Sequence, residues 1–415
     1  MLDRPSTGHT EFNSRIFISS LLSVIVISST SLIINCYLSE NWPGDRIRVK
    51  YQNGGIINMR EKIPIIVAGA VTGLCAVLLV LFGNPLNMGF CIACFLRDIA
   101  GGLGLHRAAM VQYLRPEIVG LILGAFLTAL TAKEFKVTGG AGTPLRFLLG
   151  MLMMAGALVF LGCPLRMILR LAGGDWNALV ALPGYVAGVW AGTFFLKKGY
   201  SLGQSRAQPV LNGYLGSLMA VFLLILLIAA PAFVFFSTEG PGSQHAPLVV
   251  SLGTGLLVGV LAQRSRLCTM GAFRDLILFK EGHLFFGVAA IFIVALTGNL
   301  ITGKFIPGFA SQPVAHTDAI WNFLGMGVVG LAAVLAGGCP LRQLILTGEG
   351  QGDALFTVLG MIAGAALIHN FGLAASPDGV PVAGKWALLL SIVMLVIIGA
   401  ANIYRPGTAG KTAGP

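Results

Sequence analysis

The sequence predicts an all-α polytopic membrane protein, built from two inverted repeats of about five transmembrane helices with short re-entrant helices that carry cysteine motifs. Of its 415 residues, 56% are hydrophobic and only 10% are charged, whereas a soluble domain carries about 25% charged residues. Ile63–Gly83 and Val210–Phe236 contain no charged residue, and roughly 20 apolar residues span a bilayer as a helix. Such continuous runs exclude a closed barrel, which needs short alternating strands.

Ten apolar stretches predict the spanning helices, and four segments rich in Gly, Pro and Arg lie between them. The segment of residues 1–58 is predicted to be an extra helix, a signal anchor or a mis-assigned start, since "MREKIP" from Met59 would form a natural N-terminus. The predicted spans are residues 63–83, 117–132, 144–162, 176–196, 210–236, 246–263, 284–303, 320–337, 354–373 and 385–404. The motif segments lie near residues 84–106, 163–175, 264–283 and 338–353.

An internal repeat divides the chain into two related halves. "GCPLR" begins at residue 162 and again at residue 338, which are 176 positions apart. A cysteine followed by Arg-Asp occurs at Cys91 and at Cys268, which are 177 positions apart. Because each copy holds an odd number of spans, the second copy is predicted to be inverted, as in many transporters. The predicted repeats are residues 59–236 and 237–415.

Small residues predict where helices approach each other closely in lipid. Gly184, Gly188 and Gly192 are spaced four residues apart, and Gly360 and Gly364 repeat the pattern in the second half. These glycines therefore predict tightly packed helix pairs.

The formal net charge of +11 indicates loop topology rather than nucleic-acid binding, because Lys and Arg hold loops on the cytoplasmic side. Several arginines depart from this rule, and we interpret those nearest the cysteines as folded into the protein. The predicted cytoplasmic loops hold Lys133, Lys136, Lys197, Lys198, Arg206, Arg405 and Lys411. The departing arginines are Arg97, Arg107, Arg115, Arg166 and Arg170.

The GCPLR motif predicts a cysteine at the N-terminus of a short helix. Proline is favoured at the first helical position, so Cys163 and Cys339 are expected at the cap, where free N–H groups attract anions. An inert structural turn is the alternative for a single copy. The predicted substrate path comprises Cys91, Cys163, Cys268 and Cys339. The predicted electrostatic support comprises Arg97, Arg166, Arg274 and Arg342, with local pairing of Arg97 to Asp98 and of Arg274 to Asp275 as the structural alternative.

Cys91 and Cys94 form a CxxC sequence, which is typical of thiol redox chemistry in other settings. The second half has no matching pair, so a membrane thiol oxidoreductase is the alternative hypothesis and a non-enzymatic protein the preferred one. No spacing matches a zinc site and no nucleotide-binding motif is present, so no metal or cofactor is expected. Asp175, Glu349 and Asp353 follow the GCPLR segments and could relay protons or hold arginines.

The motifs "GNPLNMGFCIACFLRDIAGGLGLHRA", "GCPLRMILRLAGGDWNALV", "RSRLCTMGAFRD" and "LAGGCPLRQLILTGEGQGDA" resemble the YeeE/YedE, or sulphur-transport, family of membrane proteins. Within it, the chain resembles the YedE-like selenium-transporter branch. The resemblance implies an hourglass of broken helices with Cys91, Cys163 and Cys339 along the path, and Cys268 at a fourth position that thiosulfate-type members need not share. It also implies a TusA-like cytosolic sulfur carrier as partner.

Together these observations predict a transporter or channel in the bacterial inner membrane that takes up a small sulfur- or selenium-containing species. Thiosulfate, a selenium oxyanion and a reduced selenium species all stay open as cargo. A thiol S–H is a weak donor suited to a soft sulfur or selenium centre, and several weak contacts in series permit entry without trapping.

Overall fold

The computed structural model describes residues 59–403, and the extension predicted for residues 1–58 lies outside this range, as do Arg405 and Lys411 of the predicted cytoplasmic side. The described part contains fourteen helices and one small antiparallel sheet. The first seven helices are α1 (Met59–Leu81), α2 (Ile92–Gly102), α3 (Pro116–Thr131), α4 (Thr143–Phe160), α5 (Pro164–Ala172), α6 (Trp176–Lys197) and α7 (Val210–Ala229). The next seven are α8 (Leu248–Ser265), α9 (Thr269–Phe279), α10 (His283–Ile301), α11 (Ala319–Ala336), α12 (Pro340–Gly348), α13 (Gly352–Asn370) and α14 (Val382–Ala401). Strands β1 (Thr138–Gly139) and β2 (Arg206–Ala207) form the sheet.

The long helices coincide with the ten predicted spans, and the short helices α2, α5, α9 and α12 fill the four motif segments. Within residues 59–403, nine helical stretches are long and apolar enough to cross a membrane, and α3 is a shorter apolar helix. The chain is therefore a multi-pass membrane protein. One boundary was wrong: the span predicted to reach residue 236 ends at Ala229, because Ala230 adopts a left-handed conformation (φ 43°) and Pro231 follows it.

Both halves place their helices in the same order, which is span, re-entrant helix, two spans, re-entrant helix and two spans. Helix α13 begins beside β1, where Thr138 bridges to Gln351, and ends where the Asn370 amide donates to the Leu105 carbonyl at 2.9 Å. The β1 loop and the Leu105 loop therefore mark opposite ends of the bundle.

The second half is inverted relative to the first, as predicted. Helix α12 ends at the β1 side, where the Lys136 N–H donates to the Glu349 carbonyl at 3.2 Å. Its counterpart α5 ends just before α6 begins, and α6 runs towards the loop that holds β2. Helix α5 must therefore end at the opposite side, where Gly308 donates its N–H to the Gly174 carbonyl at 3.0 Å.

The halves pack through each other's helices. Helix α1 lies against α10 and its counterpart α8 against α3, while α6 packs on α11 and α13 on α4. Glycines permit these contacts as predicted, because a Cβ at Gly188 would strike the Gly327 carbonyl and one at Gly360 would strike the Phe147 carbonyl. The repeat boundaries 59–236 and 237–415 remain a prediction, since the halves interlock rather than form separate bodies.

Candidate functional site

Each of the four short helices begins at a cysteine. The Cys91 and Cys268 thiols accept hydrogen bonds from the N–H groups of Cys94 and Gly271, both at 3.3 Å. Cys163 and Cys339 occupy the same cap position in α5 and α12, each directly before a proline. The caps at Cys163 and Cys339 were predicted from that proline. Those at Cys91 and Cys268 were not, because no proline marks the start and cysteine is not among the common N-cap residues.

The cap cysteines lie in pairs within each half. The Sγ atoms of Cys268 and Cys339 are 3.6 Å apart, and the thiols of Cys91 and Cys163 are neighbours. All four side chains are buried and carry free thiols. Cys94 is a fifth buried thiol beside the first pair.

Tyr185 lies near cysteines of both thiol pairs, and the sequence analysis missed it. Its side chain on α6 is fully buried, its hydroxyl lies 3.5 Å from Thr269 Oγ1, and Cys163, Cys268 and Cys339 are close enough to interact with it electrostatically. Helix α5 also contacts α9, and α2 contacts α12, so the four re-entrant helices meet in the interior. The sequence signal that could have identified Tyr185 is that it follows Gly184 in an apolar helix, whereas the equivalent position in the second half holds Met361.

Arg97 pairs with Asp98, as its structural alternative expected, through its Nε at 3.0 Å and its Nη2 at 2.8 Å. The same carboxylate also accepts from Arg115 Nε at 2.8 Å, and Arg115 donates further to the carbonyls of Pro241 and Gln244. All three charged side chains are buried. One carboxylate thus serves two guanidinium groups, which leaves this cluster with a net positive charge.

Arg166 is fully buried, and no carboxylate among residues 59–403 forms an ion pair with it. Its Nη1 donates to the Cys94 thiol at 3.4 Å. Its other bonds go to carbonyls on three separate turns, and the residues at Asn87, Leu161 and Val314 all have positive φ. A fourth carbonyl, that of Pro313, lies at 3.5 Å. Arg166 therefore carries a buried charge without a matching anion.

The neighbouring Arg170 pairs with Asp175 at 2.6 Å and donates to the Phe160 carbonyl at 2.7 Å. Asp175 also caps α6 by accepting from the Asn177 N–H at 2.9 Å. The Nη2 atom of Arg170 has no partner among the described residues. Of the two roles left open for Asp175, the structure thus places it against an arginine.

Arg342, the counterpart of Arg166, has a different environment. Its guanidinium forms a two-bond pair with Glu349, at 3.0 and 3.3 Å. Arg266, which is half exposed, approaches the same carboxylate at 3.5 Å and pairs with Glu134 at 3.1 Å. Burial raises the pKa of Glu349, and the two guanidinium groups oppose that rise. Unlike Arg166, the Arg342 guanidinium therefore has a carboxylate partner.

The remaining predicted residues pair locally or hold loops together. Arg274 pairs with Asp275 at 2.8 Å, and both side chains are partly exposed. Asp353 accepts from Ser205 Oγ at 2.7 Å and from the N–H groups of the loop before α4, so it holds loops together. Arg107 is exposed rather than folded in and lies over the Phe235 ring. No group of His, Cys, Asp and Glu within residues 59–403 could hold a metal ion.

The model of the sulphur-transport family matches residues 2–164 and 264–412. This chain belongs to the sulphur-transport family. Each matched segment contains one complete Cys…Arg-Asp motif, and the described parts of the two segments, residues 59–164 and 264–403, fall in the two halves of the fold. The family assignment predicted from the motifs is therefore confirmed.

Three named relatives are similar to parts of this family member. The thiosulfate transporter TsuA of Spirochaeta thermophila is 35% identical over 125 residues, which is 30% of this chain and 35% of the relative. TsuA of Escherichia coli is 30% identical over 122 residues, covering 29% of this chain and 34% of the relative. The probable transporter YedE of Salmonella typhimurium is 28% identical over 181 residues, covering 39% and 44%. The matches to the two TsuA proteins thus span about a third of their length.

Proposed function

We propose that this member of the sulphur-transport family takes up a small sulfur- or selenium-containing species through a path lined by Cys91, Cys163, Cys268 and Cys339. The observation that supports it is the pairing of cap thiols at the buried tips of four re-entrant helices. Irregular backbone at membrane depth is tolerated where it lines a cavity or is buried in protein. Thiols in sequence along such a route would offer weak, replaceable hydrogen bonds to a soft chalcogen atom.

The charges around the tips favour an anionic cargo. The four helices direct their N-terminal dipole ends, which attract anions, towards the interior. Arg97, Arg115 and Arg166 add buried positive charge on the side of the first repeat. Arg342 lies at the equivalent place in the second repeat, and Arg274 gives weaker support because it is partly exposed.

The names of the relatives support this proposal, since two are thiosulfate transporters and one is a probable transporter. We propose both thiosulfate and a selenium compound as candidate cargo, because a thiol donor suits a sulfur atom and a selenium atom equally. We further propose the bacterial inner membrane as location and a TusA-like cytosolic sulfur carrier as partner.

The alternative, a membrane thiol oxidoreductase using Cys91 and Cys94, is not favoured by these relatives. The Cys94 thiol donates to the Leu161 carbonyl at 3.9 Å and accepts from Arg166 at 3.4 Å. These hydrogen bonds give Cys94 a structural role that needs no redox chemistry. Alkylation of isolated membranes followed by mass spectrometry separates the two functions. A reducible Cys91–Cys94 disulfide would favour the enzyme, and fully alkylated thiols would refute it.

The test of the proposed function is uptake of radiolabelled thiosulfate and of radiolabelled selenite by cells that express the chain. We expect one of the two anions to accumulate above the level in cells without the chain, and the other to compete poorly. A membrane-inserted protein that accumulates neither anion would overturn the proposal.

A further inference from the structure

The two repeats share the GCPLR motif but differ in how its arginine is neutralised. Arg342 has Glu349 seven residues later, and their side chains form a buried two-bond ion pair at 3.0 and 3.3 Å. The position equivalent to Glu349 in the first repeat is Gly173. The side-chain amide of Asn87 fills the space that a Cβ at Gly173 would need, so no carboxylate fits there.

Arg166 consequently remains uncompensated among the described residues. Its guanidinium is tied to the Asn87 and Val314 carbonyls and to the Cys94 thiol, and those neutral groups satisfy its N–H donors without cancelling its charge. A buried charge without a partner is costly unless another charged group approaches it. In an anion transporter, the cargo is the charge that can do so.

The remaining buried charges of the first repeat do not cancel this excess. Asp98 is shared by Arg97 and Arg115, and Asp175 pairs with Arg170. The buried carboxylate of Glu117 is bonded to Asn84 and Ser251 at 2.9 and 3.2 Å instead of to an arginine. Even with Glu117 ionised, four buried arginines face three carboxylates on this side.

On the second side the buried arginine of the motif is paired. Glu349 forms an ion pair with Arg342 and is also 3.5 Å from Arg266, and Glu134 pairs with both Arg266 and Arg264. The extra positive charge of this cluster lies on Arg264 and Arg266, whose side chains are partly exposed and therefore screened by solvent. The two buried motif arginines, Arg166 and Arg342, therefore differ by one carboxylate, that of Glu349.

We propose that the Glu349 carboxylate is a built-in substitute for the transported anion, which occupies Arg342 so that cargo is held only on the Arg166 side. This inference rests on the proposed function and adds to it a direction. An anion binds near the uncompensated Arg166, passes between the thiol pairs, and leaves along a side where its attraction to Arg342 is already cancelled. Glu349 is thus a positioning residue that acts through Arg342.

Glu349→Gln keeps the size of the side chain and removes its charge. It exposes the anion to an uncompensated Arg342, and one unit charge at close range and intermediate dielectric changes affinity by about tenfold or more. We expect the radiolabelled anion that the wild type takes up, thiosulfate or selenite, to bind the purified variant about tenfold more tightly than the wild type, with a lower KM and a lower maximal uptake rate because release is slowed. A merely damaged fold would weaken binding instead.

Two further variants complete the experiment. Arg166→Gln should raise KM by about tenfold, while Arg166→Lys, which keeps the charge, should retain most of the affinity. Asp378→Asn is the control, because it removes an exposed carboxylate of the same repeat, which solvent screens, and its KM should equal the wild-type value. Glu349→Asp should restore wild-type kinetics.

The outcomes separate the two proposals. Wild-type uptake together with an unchanged or weaker affinity in Glu349→Gln overturns the role of Glu349 and leaves the proposed function standing. Equal affinities in Arg166→Lys and Arg166→Gln also overturn it, since charge would then not matter. If the wild type binds and takes up neither anion, the proposed function fails and this inference fails with it.

Discussion

The Sγ atoms of Cys268 and Cys339 lie 3.6 Å apart, although the two residues belong to different re-entrant helices. Both thiols are buried and free, and each begins its helix. A disulfide needs an S–S distance of about 2.05 Å, so a small approach of the two tips would allow bond formation. The pair is therefore a direct probe of the geometry that the proposed path requires.

We expect copper–phenanthroline with dissolved oxygen to join Cys268 to Cys339, with loss of one proton and one electron from each thiol to the oxidant. The bond should block uptake, because it fastens two tips across the path, and a reductant should restore uptake. Mass spectrometry of digested protein identifies the linked peptides. Any uptake that Cys268→Ser retains should be insensitive to the oxidant, and persistent sensitivity in that variant would contradict the prediction.

Cys163→Ala and Cys339→Ala should each reduce uptake of the cargo to background while membrane expression stays normal. Each change removes one thiol from a pair and leaves the proline-initiated helix intact. The control is Cys75→Ala, which removes an equally buried thiol from α1 and should preserve uptake. Normal uptake in both path variants would refute the cysteine path.

Asp175→Asn should lower the stability of the protein by about 3–5 kcal/mol, because it leaves the buried Arg170 guanidinium unpaired. The measurement is the midpoint of thermal unfolding in detergent. Asp275→Asn disrupts a partly exposed pair and should cost only about 0–1 kcal/mol. Similar midpoints for the two variants would contradict the prediction, because the buried Arg170–Asp175 pair would then stabilise the protein no more than the partly exposed Arg274–Asp275 pair.

Gly188→Ala should destabilise the packing between α6 and α11, because the new methyl group would collide with the Gly327 carbonyl. The matched change Gly253→Ala lies inside helix α8, where a Cβ meets open space, and should be neutral or stabilising by about 0.5–1 kcal/mol. Thermal unfolding compares the two variants. A stable Gly188→Ala protein would contradict the close approach of these helices.

The inverted topology predicts opposite labelling of two loops. Gln204 and Glu239 are both exposed, on the loop that holds β2 and on the loop after α7. An impermeant maleimide added to intact cells should label Glu239→Cys, whereas Gln204→Cys should react only after permeabilisation, because the lysine-rich side is expected to be cytoplasmic. Labelling of both variants in intact cells would contradict this orientation.

Much of the fold followed from local pattern. The long apolar runs predicted the spanning helices, and Pro164 and Pro340 predicted where two short helices begin, because a missing N–H is harmless at the first helical position. The end of α7 was placed too late, although Pro231 marks a helix end, because the apolar run continues past it to residue 236. The left-handed conformation of Ala230 has no signal of its own in the sequence.

The candidate site was predicted in its residues but not in its partners. The sequence singled out Cys268, Cys339, Arg166 and Arg342, yet it treated both arginines as equivalent supports. It also passed over Tyr185, since a single tyrosine in an apolar helix carries no periodic signal.

The sequence by itself determined that the chain crosses a membrane repeatedly, that it is duplicated, and that the copies are inverted. These properties depend on composition, on segment length and on an odd number of spans, which all act along the chain. Only the tertiary structure decided that Cys268 meets Cys339, and that Arg166 lies among carbonyls while Arg342 meets Glu349. Such contacts join segments distant in sequence, and the packing of whole helices sets their distances and the burial of their charges.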